Sequence, residues 1–511
     1  MTELAIDRLG ADSQRLVHPP EVLVAGTWAA GDGTPVTAID PYTEAILADV
    51  PTASIDQVHA AVAGARRAVT EGAWAHLGPG DRSRLLHRVV EVLDRNRLLL
   101  ARIVTAETGS PITLSTMLQV DPMLEHLAWF ADAAARGPHG GYEQGLPLRG
   151  NVSASVLIHE PVGVVAALTP YNAPLVTAAW KVGGALAAGC SAVLLPSPRS
   201  ALTSLAWARL VCEADLPEGA FSFLVGEQHV GRALTESDGV DMVTFTGSNG
   251  VGREVMRQAA GTFKRVVLEL GGKSPNILLP GTDVQAVAGP STLRYARNAG
   301  QTCGATTRIF VPRADYDEFV QATRDFLPGV QVGDPWDPQT VVGPLITAEH
   351  RGRVEGYVDR AIRGGGIVDA GGGRPATKHG YFMNPALIGG VTNDAEIARD
   401  ELFGPVGVVI PYDDVDSAVA MANDSDYGLN ANVWGPPPQA VEVARRIRSG
   451  TVTVNGGNGG LRPDTPFGGY RQSGTGREAG EEGFQHFLET KQVQIALNPT
   501  GPVVAASVID R

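Results

Sequence analysis

Four short apolar runs between residues 162 and 259 are each followed by a stretch of helical length. Val162–Leu168 leads into 174–188, Ala192–Leu195 into 201–213, Phe221–Val225 into 230–236, and Met242–Phe245 into 250–259. Runs that are apolar throughout, and not only at alternate positions, suit strands covered on both faces. Strands of that kind alternating with helices make a parallel sheet. Such sheets bind nucleotides at the carboxyl ends of their strands. Upstream, Ser54 precedes a helical pattern of Val58, Ala61, Val62 and Ala65, and Asp81 opens a second helix predicted to run unbroken through Val104. A further alternating series extends from about 274 to 478, with helical patches at 319–323, 354–359 and 417–422. The glycine-rich stretches 364–373 and 456–460 are expected to be loops.

A chain of 511 residues is too long for one small core, so two or three substructures are expected. A net charge of −14 argues against nucleic acid or an anionic membrane as partner. Cys190, Cys212 and Cys303 are odd in number and widely spaced, which fits neither a disulfide framework nor a zinc site. No metal is therefore expected, and a reducing cytoplasm is. The opening stretch MTELAIDRLGADSQRL has early acidic residues and no apolar segment of the secretory kind. No apolar run reaches the ~18 residues of a membrane span; the nearest, 164–195, is broken by Pro170, Asn172, Pro174 and Lys181.

Two segments carry chemistry. Cys303 lies in Asn298-Ala299-Gly300-Gln301-Thr302-Cys303-Gly304-Ala305, and Glu269 in Leu268-Glu269-Leu270-Gly271-Gly272-Lys273. A thiolate nucleophile and a carboxylate base are what the oxidation of an aldehyde through a thioester requires. For Cys303 the residues alone leave nucleophile and structural cysteine on even terms. Its small neighbours admit a substrate to the backbone, and a helix starting there would lower the thiol pKa. Glu269 ends a strand-like run, where burial would raise its pKa toward that of a general base, and Gly271-Gly272 would let the carboxylate swing. Asn172, between Pro170 and Pro174, is either a turn asparagine or an amide donor for an oxyanion. The turn Phe245-Thr246-Gly247-Ser248-Asn249-Gly250-Val251-Gly252 follows a strand and opens a helix, a weak anion-site signal that is not G-x-G-x-x-G.

Taken together the segments resemble the aldehyde dehydrogenase superfamily, over about residues 22–495. The carriers, in order, are TPYNAPL (169–175), WKVGGALAAG (180–189), FTGSNGVG (245–252), LELGGKSPN (268–276), NAGQTC (298–303), ELFGPV (401–406), YGLNANVW (427–434), GTVTVN (450–455) and PFGGYRQSGTGRE (466–478). The resemblance implies an α/β fold: a Rossmann-like parallel-sheet cofactor domain (1–139 and 161–273), an α/β catalytic domain (274–476) and a small β oligomerisation element (140–160 and 477–511). It implies that Cys303 attacks an aldehyde, that Asn172 and the Cys303 N–H hold the oxyanion, and that Glu269 activates water. The presence of Glu269 separates this chain from coenzyme-A-acylating relatives. Lys181 would be a buried support and Glu478 an acid behind the site. NAD or NADP would lie against Thr169, Pro170, Tyr171, Ser197, Arg199, Phe245, Gly247, Ser248, Gly252, Leu270 and Gly271, with Glu401 on the nicotinamide ribose and Phe403 beside the ring.

One departure leaves the cofactor open. Leu195 and Pro198 stand where relatives carry a ribose-binding lysine and glutamate, and Arg199 becomes a candidate partner for a 2′-phosphate. Ala173, Thr177, Trp180, Thr302, Gly304 and Phe467 would line the substrate tunnel. Mostly small or apolar, they imply an uncharged aliphatic or aromatic aldehyde, although Arg462 could meet a carboxylate and its role is left open. The hairpin near 140–160 and the strand at 493–497 imply a homodimer or homotetramer. Two rival readings are a non-catalytic protein of the same fold and a cofactor-independent thiol esterase.

Overall fold

The computed structural model describes residues 9–149, 153–457 and 461–496. The beginning of the N-terminal stretch (1–8), part of the expected hairpin (150–152), part of the second glycine-rich loop (458–460) and the chain from 497 onward lie outside the described residues.

Ser54 accepts a hydrogen bond from the Gln57 N–H at 3.2 Å, and the Gln57 side chain completes the reciprocal capping box. The helix Ile55–Thr70 follows, and the predicted Val58, Ala61, Val62 and Ala65 form its buried face. The next helix departs from the sequence expectation. It begins at Pro79, ahead of Asp81, and ends at Arg95, with a separate helix at Arg97–Thr108. Proline at the first helical position is pre-set for that start. At the break, the Asn96 side chain donates to the Val92 carbonyl at 2.8 Å, competing with the helix for its own backbone.

The first sheet has eight strands in the order Gly474–Thr475, Arg265–Glu269, Met242–Thr246, Val164–Thr169, Ser191–Pro196, Phe221–Phe223, Val22–Val24 and Thr27–Ala29. Its inner five are parallel, as the continuous apolar runs require. Val165, Ala167, Leu194 and Met242 enter one core, while Val164, Ala166, Val193 and Val243 enter the core on the opposite face. The chain winds outward from Val164–Thr169 in one direction, then returns to lay Met242–Thr246 on the other side. This is a topological switch point, which leaves a crevice at the carboxyl ends of the strands.

The second sheet has seven strands: Ile367–Gly371, Ala386–Gly389, Val406–Tyr412, Arg308–Pro312, Pro275–Leu278, Asn430–Trp434 and Thr451–Val454. All pairs are parallel except the first. That edge strand corrects the reading of 364–373 as loop. Ile367 and Val368 pair antiparallel with Gly389 and Ile388, and the register shifts at Asp369, between Val368 and Ala370. The chain crosses from one sheet to the other at 270–274, between Arg265–Glu269 and Pro275–Leu278.

A third, antiparallel sheet joins Leu488–Ala496, Ser153–Pro161 and Glu143–Arg149. Its last strand starts earlier than the predicted 493–497 and leaves Val493 and Ile495 exposed. Among the described residues no helix is long and apolar enough to cross a membrane.

Candidate active site

A cleft of about 1020 Å³ lies where the carboxyl ends of the first sheet face the amino ends of strands in the second. Thr169 ends a strand of the first sheet, and Ser197, Gly247 and Leu270 follow strands of it, at the cleft rim. Thr302, Cys303 and Gly304 precede Arg308–Pro312, Glu401 and Phe403 precede Val406–Tyr412, and Asn430 opens its own strand. Of the site residues expected from sequence, all but Gly252, Lys181 and Glu478 line this cleft. Gly252 lies one turn into the helix Asn249–Ala259, where a side chain would strike Leu270.

The segment before Cys303 makes a left-handed turn, with φ of 52°, 53° and 71° at Asn298, Ala299 and Gly300. Gly300 is pressed against the main chain of Gly404, so this turn has no room for a side chain there. Gln301 fixes the turn: its side-chain oxygen accepts from the Tyr171 hydroxyl at 3.1 Å and the Ile346 N–H at 3.0 Å. Sequence reasoning passed over Gln301, although it lies inside the cysteine motif. No helix starts at Cys303, so the condition under which its pKa would fall is not met. The preceding helix ends at Ala296, a short 3-10 turn spans Arg297–Gly300, and the next element after Cys303 is a strand. The thiol gains no help from a helix N-terminus. Burial, and then the charges of Glu269 and Glu401, push its pKa well above the ordinary thiol value.

Glu269 is buried at the end of its strand, within hydrogen-bonding reach of the Cys303 thiol, and its Oε1 has no other partner. Burial, reinforced by the nearby Glu478, raises its pKa well above the usual carboxylate range. Behind it the buried Lys181 ammonium pairs with Glu478 and donates to the Thr244 hydroxyl at 3.1 Å. Lys181 and its neighbour Trp180 lie on a π-helical turn, Ala179–Gly183, within the predicted helix 174–188. The extra residue in that turn lets Trp180 face the cleft while Lys181 is fully buried.

Gly271 and Gly272 also bear on how tightly the site packs. A side chain on Gly271 would collide with the Glu401 carboxylate, and one on Gly272 would come within 2.8 Å of the Cys303 carbonyl. These glycines permit close approach. Glu401 accepts from the Gly272 N–H at 3.1 Å, and burial raises its pKa to about 7. Phe403, at φ 58°, sets its ring edge-on to Tyr171 at 6.1 Å, and its carbonyl meets the His350 ring at 2.7 Å.

Asn172 donates one amide hydrogen to the Gln301 carbonyl at 3.0 Å, which orients the amide and leaves its second N–H in the cleft. Gln119, missed from sequence, fixes the Asn172 main chain by donating to its carbonyl at 2.9 Å. Trp180 and Phe467 pack ring on ring at 5.1 Å, and Leu118, Val176 and Leu461 add apolar wall. Arg462, expected to be available to a substrate carboxylate, is instead paired with Asp464 at 2.6 Å. At the other end Arg199 is exposed, with Pro198 beside it on the cleft wall and Ser197 capping the short turn that follows. Cys190 and Cys212 stand outside the cleft, and burial pushes both thiols up to about 12.

Residues 28–493 match the family model of the Aldehyde dehydrogenase family. The putative aldehyde dehydrogenase DhaS of Bacillus subtilis is 36% identical over 90% of this chain and 92% of its own length. Geranial dehydrogenase of Castellaniella defragrans is 37% identical over 93% of this chain and 98% of its own. Among solved structures, a variant of aldehyde dehydrogenase C from Pseudomonas syringae, in complex with NAD+ and octanal, superposes with a TM-score of 0.89 at 37% identity. That match covers 93% of this chain and 97% of the other. The NAD+ complex of an aldehyde dehydrogenase from Bacillus cereus gives a TM-score of 0.91 at 33% identity, covering 95% and 99%.

Proposed function

Because the chain belongs to the aldehyde dehydrogenase family, we propose that it oxidises an aldehyde to the free carboxylic acid, with Cys303 as nucleophile and Glu269 as the base that releases the product. The observation that carries this reading is the meeting of the Cys303 thiol and the buried Glu269 carboxylate in one cleft. The thiolate adds to the aldehyde carbon, and the resulting oxyanion is met by the second Asn172 N–H and the Cys303 main-chain N–H. Each such donor contributes roughly 3 kcal/mol when prepositioned. Collapse of that oxyanion, with loss of hydride from the same carbon, leaves a thioester on Cys303. Glu269 then takes a proton from water as the water oxygen attacks the thioester, the acid departs and the thiolate is restored. Lys181 and Glu478 hold the charge behind Glu269 and touch no substrate.

A nicotinamide dinucleotide supplies the hydride acceptor when bound, and the cleft suits one on chemical grounds. Ser248 and the first turn of Asn249–Ala259 line it, so the N–H groups of a helix start are available to a pyrophosphate. Glu401 is available to a ribose hydroxyl and Phe403 to the nicotinamide face. Loss of the carboxylate at Pro198 and the exposed cation at Arg199 support acceptance of a 2′-phosphate, so NADP is proposed beside NAD. The apolar walls around Trp180 and Phe467 support an aliphatic or aromatic aldehyde body, and the octanal-bound relative agrees with that class.

We further propose that 1–139 with 161–273 form the cofactor domain, 274–476 the catalytic domain, and 140–160 with 477–511 the element through which copies associate. The proposal for the reaction is tested by mixing the purified protein with an aldehyde panel and following reduced nicotinamide, with NAD and NADP run separately. Turnover abolished in Cys303→Ala is expected. No turnover with either cofactor across the panel would overturn it.

A further inference from the structure

The Cys303 N–H, which the reaction above gives to the oxyanion, lies in a stretch that is neither helix nor strand, between Arg297–Gly300 and Arg308–Pro312. Thr302–Ala305 forms a turn, closed by the Ala305 N–H donating to the Thr302 carbonyl at 3.1 Å. Asn430 meets this turn from the second sheet: its Nδ2 donates to the Gly304 carbonyl at 3.3 Å. Asn430 opens the strand Asn430–Trp434, and its own N–H donates to the Ser274 hydroxyl at 3.2 Å. The side chain therefore starts from a fixed point, where the 270–274 crossing ends.

A peptide unit is planar, with its C=O and N–H directed opposite ways. The Gly304 carbonyl and the Ala305 N–H are the two ends of one such unit. The Thr302 carbonyl and the Cys303 N–H are the two ends of another. Asn430 donates to the first unit, the first donates to the second, and the second ends in the Cys303 N–H. Each bond in such a relay orients the next group and polarises it in the same sense.

Two observations set Asn430 apart from a side chain that fills space. A side chain on Gly304 would strike the Asn430 Nδ2, so the turn is open at that residue to admit the amide. The Asn430 Oδ1 is enclosed and has no partner among the described residues. Turning the amide over would set that oxygen against the Gly304 carbonyl, which fixes Nδ2 as the donor. An enclosed acceptor without a donor weakens the fold, so folding alone does not account for an amide here.

We infer that Asn430 is a positioning residue for the oxyanion: through the two peptide units it aims the Cys303 N–H at the aldehyde oxygen and strengthens it as a donor. Asn172 binds the Gln301 carbonyl on the upstream side, so two amides hold the nucleophile's turn between them. The inference rests on the reading of Cys303 as nucleophile.

The test separates the oxyanion from the thiol. Asn430→Leu keeps the bulk and removes the donor, and Asn430→Ala removes both; the variant used is one whose far-ultraviolet circular dichroism matches the wild type. The burst of reduced nicotinamide with octanal and NAD is expected to slow by about tenfold to a hundredfold, with KM for NAD within about twofold. Iodoacetamide alkylates the thiol by displacing iodide from a saturated carbon and forms no oxyanion. Its rate with Cys303 is expected to stay within about threefold of wild type. A burst at the wild-type rate would overturn the inference. Alkylation that slows in parallel with the burst would overturn it too, because the side chain would then be holding the thiol and not the oxyanion donor. A wild-type protein that gives no burst with octanal would instead count against the reaction on which the inference rests.

Discussion

Burial raises the proton affinity of both Glu269 and Cys303, and the charge of Glu269 raises that of the thiol further. Glu269 works as a base only when ionised, and burial has moved its ionisation well above the ordinary carboxylate range. The thiol, also raised, becomes thiolate only as the pH climbs. Both effects have the same sign: activity is expected to increase as pH rises through neutrality and to be lost in acid. A rate profile that stays flat from mildly acidic to alkaline pH would refute it. Arg199 makes a different prediction, about the cofactor. Arg199→Ala is expected to lower kcat/KM for NADP about tenfold and to change that for NAD by less than about threefold, since only NADP offers the phosphate. Equal losses with both cofactors would remove Arg199 from that role. The thiol, base and amide were legible because each stands in a distinctive motif. Gln119 was not, because a lone glutamine in a helical run carries no signal until the fold sets it against the Asn172 carbonyl.

At the scale of single elements, the 270–274 crossing does more than join two sheets. It brings Glu269, the Glu401 carboxylate and the Cys303 backbone together, and it can do so only because Gly271 and Gly272 have no side chains. Gly272→Ala places a methyl group 2.8 Å from the Cys303 carbonyl and must displace the nucleophile. The expected result is a fall in kcat of about tenfold to a hundredfold, with far-ultraviolet circular dichroism unchanged. Wild-type kcat in that variant would show that the close approach has no catalytic consequence. The apolar period located the inner strands and the helices between them, since burial on two faces leaves a direct trace in composition. It failed where a few backbone bonds decide. The Asn96 break interrupts a run whose hydrophobic pattern continues across it, and the strand Ile367–Gly371 is disguised by the glycines that flank it. Glu107 was equally invisible. It is a buried carboxylate that caps Ala201–Cys212 by accepting from the Leu202 and Thr203 N–H groups at 2.8 and 2.7 Å, a contact between residues far apart in sequence.

For the whole molecule, the two large sheets offer opposite strand ends to one cleft, so neither carries a complete site by itself. The third sheet is different. Leu488–Ala496 is exposed along nearly its whole length and presents Val493 and Ile495 to solvent on an unpaired edge, a surface that needs covering. Ile495→Asp is expected to shift the protein toward monomer in sedimentation velocity, with the wild type running as a dimer or tetramer. A monomeric wild type would contradict the association. The large-scale plan was readable from sequence through the order of the motifs, whereas exposed surfaces such as the edge of the third sheet leave no trace in composition.

The central claim is that acyl transfer to Cys303 and its release by Glu269 are separate steps, and it is tested most directly by the intact mass of Glu269→Gln after brief exposure to octanal and NAD. The account predicts a stoichiometric octanoyl adduct on Cys303, one equivalent of reduced nicotinamide formed in a burst, and steady turnover reduced by roughly a hundredfold to ten-thousandfold. An unmodified protein that turns over at the wild-type rate would contradict it.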